Sequence, residues 1–381
     1  MKIAVVIPKY GGLGGAEGFA FETCRRLALQ SDLNIHVFAH RWYGEDAGVT
    51  FHRIPFLPFP RSLRPVFFAF TAKRAVAEGR FDLVHSHDRI FGMDVFTMHG
   101  IPHSTWIREA RGKRLSLFDR SLAWVEKKGV SGSIIPRLLP VSSLVKEELL
   151  RVYPFLEPLI KVLHPGVSLE RFSNQDKDLC RSEIRSAHGI SETDLVVLFV
   201  GMNFEIKRLD LVLEGVAEVI RRKKDKGRLK VLVVGKGDSD NYRRSATRLG
   251  IEKRVLFAGP RSDVERYYLA SDIFAMPSSF DTFGLAVLEA MAAGIPAIIT
   301  ERVGAKDIIM QGKSGIVLSR HPDKDEMAGS IESLLDREIR ISMGKEARAT
   351  ASDHSWDRVA LEIRNVYLKA HEQTRIRPSG K

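Results

Sequence analysis

Short, continuously apolar runs recur along the chain. Each is followed by a polar or glycine-rich loop and then by a segment of helical periodicity. Runs of roughly four to eight apolar residues read as strands buried on both faces. In the first half they are Lys2–Ile7, Asn34–His40, Phe81–His85 and Val95–His99, with a helix predicted over 16–30 through Phe19, Cys24, Leu27 and Ala28. The pattern begins again after Gly166. Strands are predicted over Leu195–Val200, Lys230–Val234, Val255–Ala258, Asp272–Met276, Ala297–Thr300 and Gly315–Leu318, and helices over 208–222, over 264–270 and beyond Asp281. Alternating strands and helices build parallel sheets with helical crossovers, so the fold class is α/β with doubly wound, Rossmann-like architecture. A chain of 381 residues exceeds what one core usually serves, and two units are predicted. The boundary falls near His164–Phe172, which gives residues 1–168 and 169–355, and an amphipathic helix is predicted over 356–373. The terminal TRIRPSGK reads as a disordered basic tail.

Composition narrows the classes. Hydrophobic residues make up 44% and charged residues 28%, as in an ordinary globular protein. No apolar run reaches the roughly 18 residues a bilayer span needs. The N-terminal MKIAVVIPKY, interrupted by Pro8 and Lys9, reads as a first strand and not as a signal peptide. Cys24 and Cys180 lie far apart, which suggests a reduced cytoplasmic compartment without a disulfide framework. The net charge of +12 calls for an explanation. The run Arg108, Arg111, Lys113, Arg114, Arg120, Lys127 and Lys128 is interleaved with Trp106, Leu115, Leu117, Phe118 and Trp124, and Arg61 and Arg64 stand within the apolar FLPFPRSLRPVFFAF. Such mixtures suit an anionic membrane surface or a lipid-linked acceptor. The run from Arg221 to Lys230 reads as a solvated surface at a helix end. No nucleic-acid-binding motif accompanies these patches.

Several strand-to-helix loops could carry chemistry. In FDTFGLAVLEAMAAGIP, Asp281 precedes Glu289 by eight residues and Gly284 stands near the helix start. Amides at Thr282, Phe283, Gly284 and Leu285 could bind phosphate oxygens. Glu289 lies beside an apolar helix face, where an unpaired carboxylate is costly. Two ribose hydroxyls would partner it, or a core Arg would, with Asp281 a plain cap. The GGLGG loop, Gly11 to Gly15, lacks the third glycine and the later acid of a dinucleotide fingerprint, which disfavours a dehydrogenase. Glu17 could touch an acceptor hydroxyl or simply favour the helix N-terminus. In VHSHD, His85 and His87 share one strand face beside Asp88, a metal site or a set of hydrogen-bond donors. In VGMNFEIKRLDLVLEG, Lys207 and Arg208 stand at a helix N-terminus, where cations are disfavoured, so an anion between them and the helix is inferred. Gly235-Lys236-Gly237 forms a turn, and Asp238-Ser239-Asp240 reads as a surface loop or helix cap.

Together these motifs resemble the retaining glycosyltransferases of family 4, which have the two-domain GT-B fold. The resemblance covers nearly the whole chain and is strongest from Leu195 to Val317. It is most similar to bacterial lipopolysaccharide-core glucosyltransferases. The family pattern is Glu, seven residues, Glu; here the first position is Asp281. The family commonly has Arg where Met202 stands and Gly where Arg208 stands, so the second phosphate-binding charge is assigned to Arg208. The resemblance implies two Rossmann-like domains with a cleft between them, the first completed by the C-terminal helix 356–381. It implies catalytic roles for His99, Lys207, Arg208 and Asp281, with His99 across the cleft from Asp281. Donor contacts are implied at Gly14, Gly15, Gly235, Thr282, Phe283, Gly284, Leu285 and Glu289, and acceptor contacts at Glu17 and His87. The implied activity is retaining, metal-independent transfer from a nucleotide-diphosphate sugar, a UDP-sugar such as UDP-glucose favoured. The implied acceptor is a cell-envelope glycolipid or lipopolysaccharide core at the inner face of the cytoplasmic membrane. No cofactor and no metal is expected. A non-catalytic nucleotide-sugar-binding protein and a peripheral membrane protein on the same fold are the rival readings.

Overall fold

A computed structural model of the chain describes residues 1–381 except 12–14, 45, 133, 224–226 and 377–381. It divides into two compact units. Unit 1 is Met1–Gly166 with the C-terminal segment from Trp356, and unit 2 is Val167–Ser355.

Unit 1 contains β1 (Lys2–Val6), β2 (Lys9–Tyr10), β3 (Asn34–Ala39), β4 (Arg41–Trp42), β5 (Val49–Arg53), β6 (Leu83–Ser86), β7 (Val95–Met98) and β8 (Arg137–Pro140). Six of them form one parallel sheet in the order β5-β3-β1-β6-β7-β8, with Ile3 opposite both Ile35 and Leu83. β2 and β4 form a separate short pair. The central strands are fully buried at Ile3, Val5, Val37 and Val95, as strands covered on both faces require. The helix Gly15–Ala28 buries Phe19, Cys24 and Leu27. The last helix, Trp356–Ile376, packs on it, with Trp356 edge-on to Phe19 at 5.3 Å. Tyr367 of the same helix reaches His85 at the end of the sheet.

Unit 2 repeats the plan with β9 (Leu195–Met202), β10 (Leu229–Lys236), β11 (Val255–Gly259), β12 (Ile273–Met276), β13 (Ala297–Thr300) and β14 (Gly315–Leu318). The parallel order is β11-β10-β9-β12-β13-β14. Arg185 is wholly buried, yet it donates to the carbonyls of Ala270, Ser191 and Asp194 and, at 2.8 Å, to Asp272. Such complete pairing is what makes a buried charge tolerable.

Two edge strands escape the sequence pattern. β5 (VTFHR) is partly exposed along its length, and β8 ends in Pro140, a residue tolerated at a sheet edge. The other predicted strands fall where expected, with ends that differ by at most two residues and agree fully for Ala297–Thr300 and Gly315–Leu318. Both cysteines are free and buried. Among the described residues, no helix is long and apolar enough to cross a membrane.

Each sheet reverses its strand order once, between β1 and β6 in unit 1 and between β9 and β12 in unit 2. Loops leaving the carboxyl ends of such neighbouring strands part and leave a crevice, the usual ligand position of doubly wound sheets.

Candidate functional site

In unit 2 the loops after β9 and β12 are tied together by Ser279 N donating to Ile206 O at 2.8 Å. They carry Lys207 and Asp281. Lys207 Nζ lies 2.9 Å from Asp281 Oδ2 and 3.1 Å from Met276 Sδ. The two ion-paired side chains are 17% and 21% exposed. Arg208, at the helix N-cap with φ +57°, pairs through Nε with Asp210 Oδ2 at 2.8 Å. Each of the two cations at this helix start thus has a carboxylate within reach, Asp281 for Lys207 and Asp210 for Arg208.

The helix after β12 runs from Leu285 to Ala292 and begins one residue later than the predicted start near Thr282–Gly284. Its N-cap Gly284 has φ +89°, a conformation glycine adopts without strain. Asp281 Oδ1 accepts from the Phe283 amide at 3.3 Å, so Asp281 serves both Lys207 and the loop. Thr282 and Leu285 are partly exposed beside it, while Phe283 is buried. Gly235 owes its identity to the protein itself. A Cβ there would sit 1.9 Å from the Gly201 carbonyl oxygen. The turn it forms is thus demanded by the neighbouring strand. Asp238 caps the helix Ser239–Arg248, as read from the sequence.

Glu289 is not unpartnered. Arg171 Nη1 donates to its Oε1 at 3.2 Å and Tyr268 Oη to its Oε2 at 3.0 Å, while Arg171 Nη2 also reaches Glu265 at 3.0 Å. Of the two partners expected for Glu289, ribose hydroxyls or an Arg, the structure supplies the Arg, at position 171. Withdrawal from water still pushes the Glu289 pKa up, and Arg171 opposes the shift.

In unit 1 the segments after β1, β6 and β7 enclose a cavity of about 410 Å³ whose walls include Lys9, Glu17, His87, Arg89 and His99. His87 Nδ1 and His99 Nε2 are 3.0 Å apart, and Phe19 lies edge-on to His99 at 5.0 Å. Burial lowers the His99 pKa to about 3 and holds His87 well below its ordinary value. Both rings are therefore neutral at pH 7 and share one proton between these nitrogens. His85 turns away from this role. Its two nitrogens meet Tyr367 Oη at 2.7 Å and Thr97 Oγ1 at 2.8 Å. Among the described residues, no group of three or more His, Cys, Asp or Glu side chains could hold a metal ion. Glu17 stands in the first turn of the helix Gly15–Ala28, whose first residue is Gly15; Gly14 lies outside the described residues.

Sequence reasoning missed Arg89, Glu126 and Arg171. Arg89 Nε donates to the buried Glu126 at 2.6 Å, and Glu126 also accepts from His103 N and Tyr153 Oη. The only signal in the sequence is Arg89 directly following VHSHD; Glu126 and Arg171 stand among ordinary surface charges. The later part of the basic aromatic segment forms the helix Leu117–Val130, with Leu117 70% and Trp124 44% exposed, while Trp106–Ala110 belongs to a separate helical turn. Arg221 and Arg222 both pair with Glu218.

A model of the glycosyl transferases group 1 matches residues 181–350, and one of glycosyltransferase family 4 matches residues 13–171. D-inositol 3-phosphate glycosyltransferase of Gordonia bronchialis is 27% identical, covering 95% of this chain and 85% of its own length. D-inositol 3-phosphate glycosyltransferase 1 of Catenulispora acidiphila is 28% identical, with 97% and 94% covered. Among solved structures, WaaG, a glycosyltransferase involved in lipopolysaccharide biosynthesis, superposes with a TM-score of 0.80 at 20% identity, covering 96% of this chain and 99% of its own. Anabaena Alr3699/HepE in complex with UDP-glucose gives 0.74 at 18% identity, with 97% and 100% covered.

Proposed function

Because the chain belongs to the group 1 glycosyltransferases and is built of two Rossmann-like units of the GT-B fold, we propose that it moves a sugar from a UDP-sugar to an acceptor hydroxyl with retention of configuration. The Lys207–Asp281 pair at the switch point of unit 2 carries this reading. In the proposal, the donor diphosphate takes Asp281's place on Lys207. Asp281 is then free to hold hydroxyls of the sugar. The bond from the anomeric carbon to the diphosphate oxygen breaks, and negative charge grows on the leaving phosphate. Lys207, Arg208 and the helix start at Gly284 and Leu285 stabilise that charge, so the step needs no resident metal. The acceptor oxygen bonds to the anomeric carbon, and its proton passes to the leaving phosphate. Glu289 exchanges Arg171 or Tyr268 for the ribose hydroxyls. UDP is favoured because a protein of the same fold is known in complex with UDP-glucose.

In unit 1 the polar cavity holds the acceptor, with Glu17 and the His87–His99 pair facing its hydroxyls. Two acceptor classes suit the comparisons. One is a cell-envelope glycolipid, by likeness to the fold of WaaG. The other is an inositol phosphate, from the names of the sequence relatives. Calorimetric titration of UDP into wild type and Lys207→Ala tests the donor half. Saturable binding that weakens in the variant is expected; absence of UDP binding to the wild type would overturn it.

A further inference from the structure

A second cavity, of about 260 Å³, adjoins the first in unit 1. Pro8, Asp88 and Arg89 stand in the walls of both, so the two are immediate neighbours. The second is the more apolar of the two. The first presents Lys9, Glu17, His87 and His99 beside Phe96 and Met98. The second is walled by Phe56, Leu57, Phe67, Phe68, Phe118 and Leu122, with His40, Arg61 and Arg64 among them. The phenylalanine and leucine side chains converge from three places. The loop after β5 gives Phe56 and Leu57, the helix Arg64–Glu78 gives Phe67 and Phe68, and the helix Leu117–Val130 gives Phe118 and Leu122.

The arrangement is braced. Arg64 Nε donates to the Leu57 carbonyl at 3.0 Å, and its guanidinium lies 4.9 Å from the Phe56 ring centre. Arg61 lies 5.8 Å from the Phe118 ring centre. Cations over aromatic faces hold such rings in place. A concave, half-open pocket with aromatic walls held in shape is suited to an apolar ligand. Residues next to the wall in sequence extend the apolar surface into solvent, with Phe59 81%, Leu63 51% and Leu117 70% exposed. Exposed apolar groups gathered about a pocket mark a place where lipid or another apolar partner is met.

We propose that the second cavity holds the alkyl portion of an amphiphilic acceptor whose hydroxyl-bearing head occupies the first. The acceptor class is thus a glycolipid and not a free inositol phosphate, which would leave the aromatic cavity to water. The inference rests on the polar cavity being the acceptor site, and it chooses between the two acceptor classes named above.

The test uses the full chain and titration calorimetry with methyl, hexyl and octyl β-glucosides below their micellar concentrations, and with D-inositol 3-phosphate. Affinity is expected to rise with chain length, at most about fourfold per methylene, the equivalent of ~0.8 kcal/mol for each buried CH₂. Leu122→Trp, which fills the cavity, is expected to flatten that rise while leaving UDP binding unchanged. Equal affinity for all three glucosides, or the same rise in Leu122→Trp as in wild type, overturns the inference. So does tighter binding of D-inositol 3-phosphate than of octyl glucoside. Should Leu122→Trp fold poorly, the wild-type series decides alone. UDP titrated into the same samples separates the two failures. UDP binding without chain-length dependence removes only the alkyl site, whereas no UDP binding removes the functional reading beneath it.

Discussion

Lys207 Nζ and Asp281 Oδ2 are 2.9 Å apart, and this ion pair joins the loop after β9 to the loop after β12 at the point where the strand order of unit 2 reverses. Connections that leave neighbouring parallel strands toward opposite faces of the sheet leave a crevice there. A charge pair with 17% and 21% exposure is weakly screened, so each partner biases what the other can bind.

Lys207→Ala is expected to lower turnover by about a hundredfold, the ~3 kcal/mol typical of losing one donor that stabilises transition-state charge. Circular dichroism should be unchanged. Asp281→Asn should retain UDP binding, since it frees Lys207, while losing transfer. Steady-state kinetics with calorimetry checks both. Near wild-type turnover in Lys207→Ala would remove that residue from the site.

Glu289→Gln keeps the shape of the side chain but removes its charge. A hydrogen bond to a charged group contributes roughly 1.5–3 kcal/mol, so UDP affinity should fall at least tenfold. Unchanged UDP affinity would leave Glu289 the purely structural task of holding Arg171 and Tyr268.

Unit 1 should lose stability in mild acid. Burial lowers the pKa values of His85 and His99 to about 3, against 6.5 for an exposed histidine. Between those values the unfolded chain binds more protons than the folded one, so stability falls as pH falls from about 6.5 toward 3. The slope is about 1 kcal/mol per pH unit for each such group. Thermal unfolding at pH 7 and pH 5 measures it. His85→Gln should show a smaller loss between the two than wild type; an equal loss would assign the acid sensitivity to other groups.

Glu126→Ala would leave Arg89 with its buried ion pair broken. Removing one partner of such a pair costs about 3–5 kcal/mol, and the unfolding midpoint in urea should fall accordingly. A change below ~1 kcal/mol would show that solvent or Asp88 takes over Arg89.

Much of the fold was legible because both sheets use buried, continuously apolar strands. Runs such as VVLFV and KVLVVG can hardly be anything else between helical segments. β5 and β8 were missed for the opposite reason: an edge strand can be polar or end in proline, as VTFHR and RLLP do. In the site, Lys207 and Asp281 were visible because each stands in a short loop between a strand and a helix. Their contact was not, since it depends on how two loops 74 residues apart in the chain lean together. The pairing of Glu289 with Arg171 was invisible likewise, since 118 residues separate them. Gly235 was read from the sequence as part of a turn, but the backbone that demands a glycine there, that of Gly201, comes from the adjacent strand.

The most direct measurement is nucleotide release by the purified chain, in the presence of EDTA, from a panel of UDP-, GDP- and ADP-sugars with and without an octyl glycoside acceptor. The account predicts release from a UDP-sugar, faster with acceptor and lost in Lys207→Ala. Release from GDP- or ADP-sugars alone would contradict the choice of donor. Absence of release from every donor, with no UDP binding by calorimetry, would contradict the account at its centre.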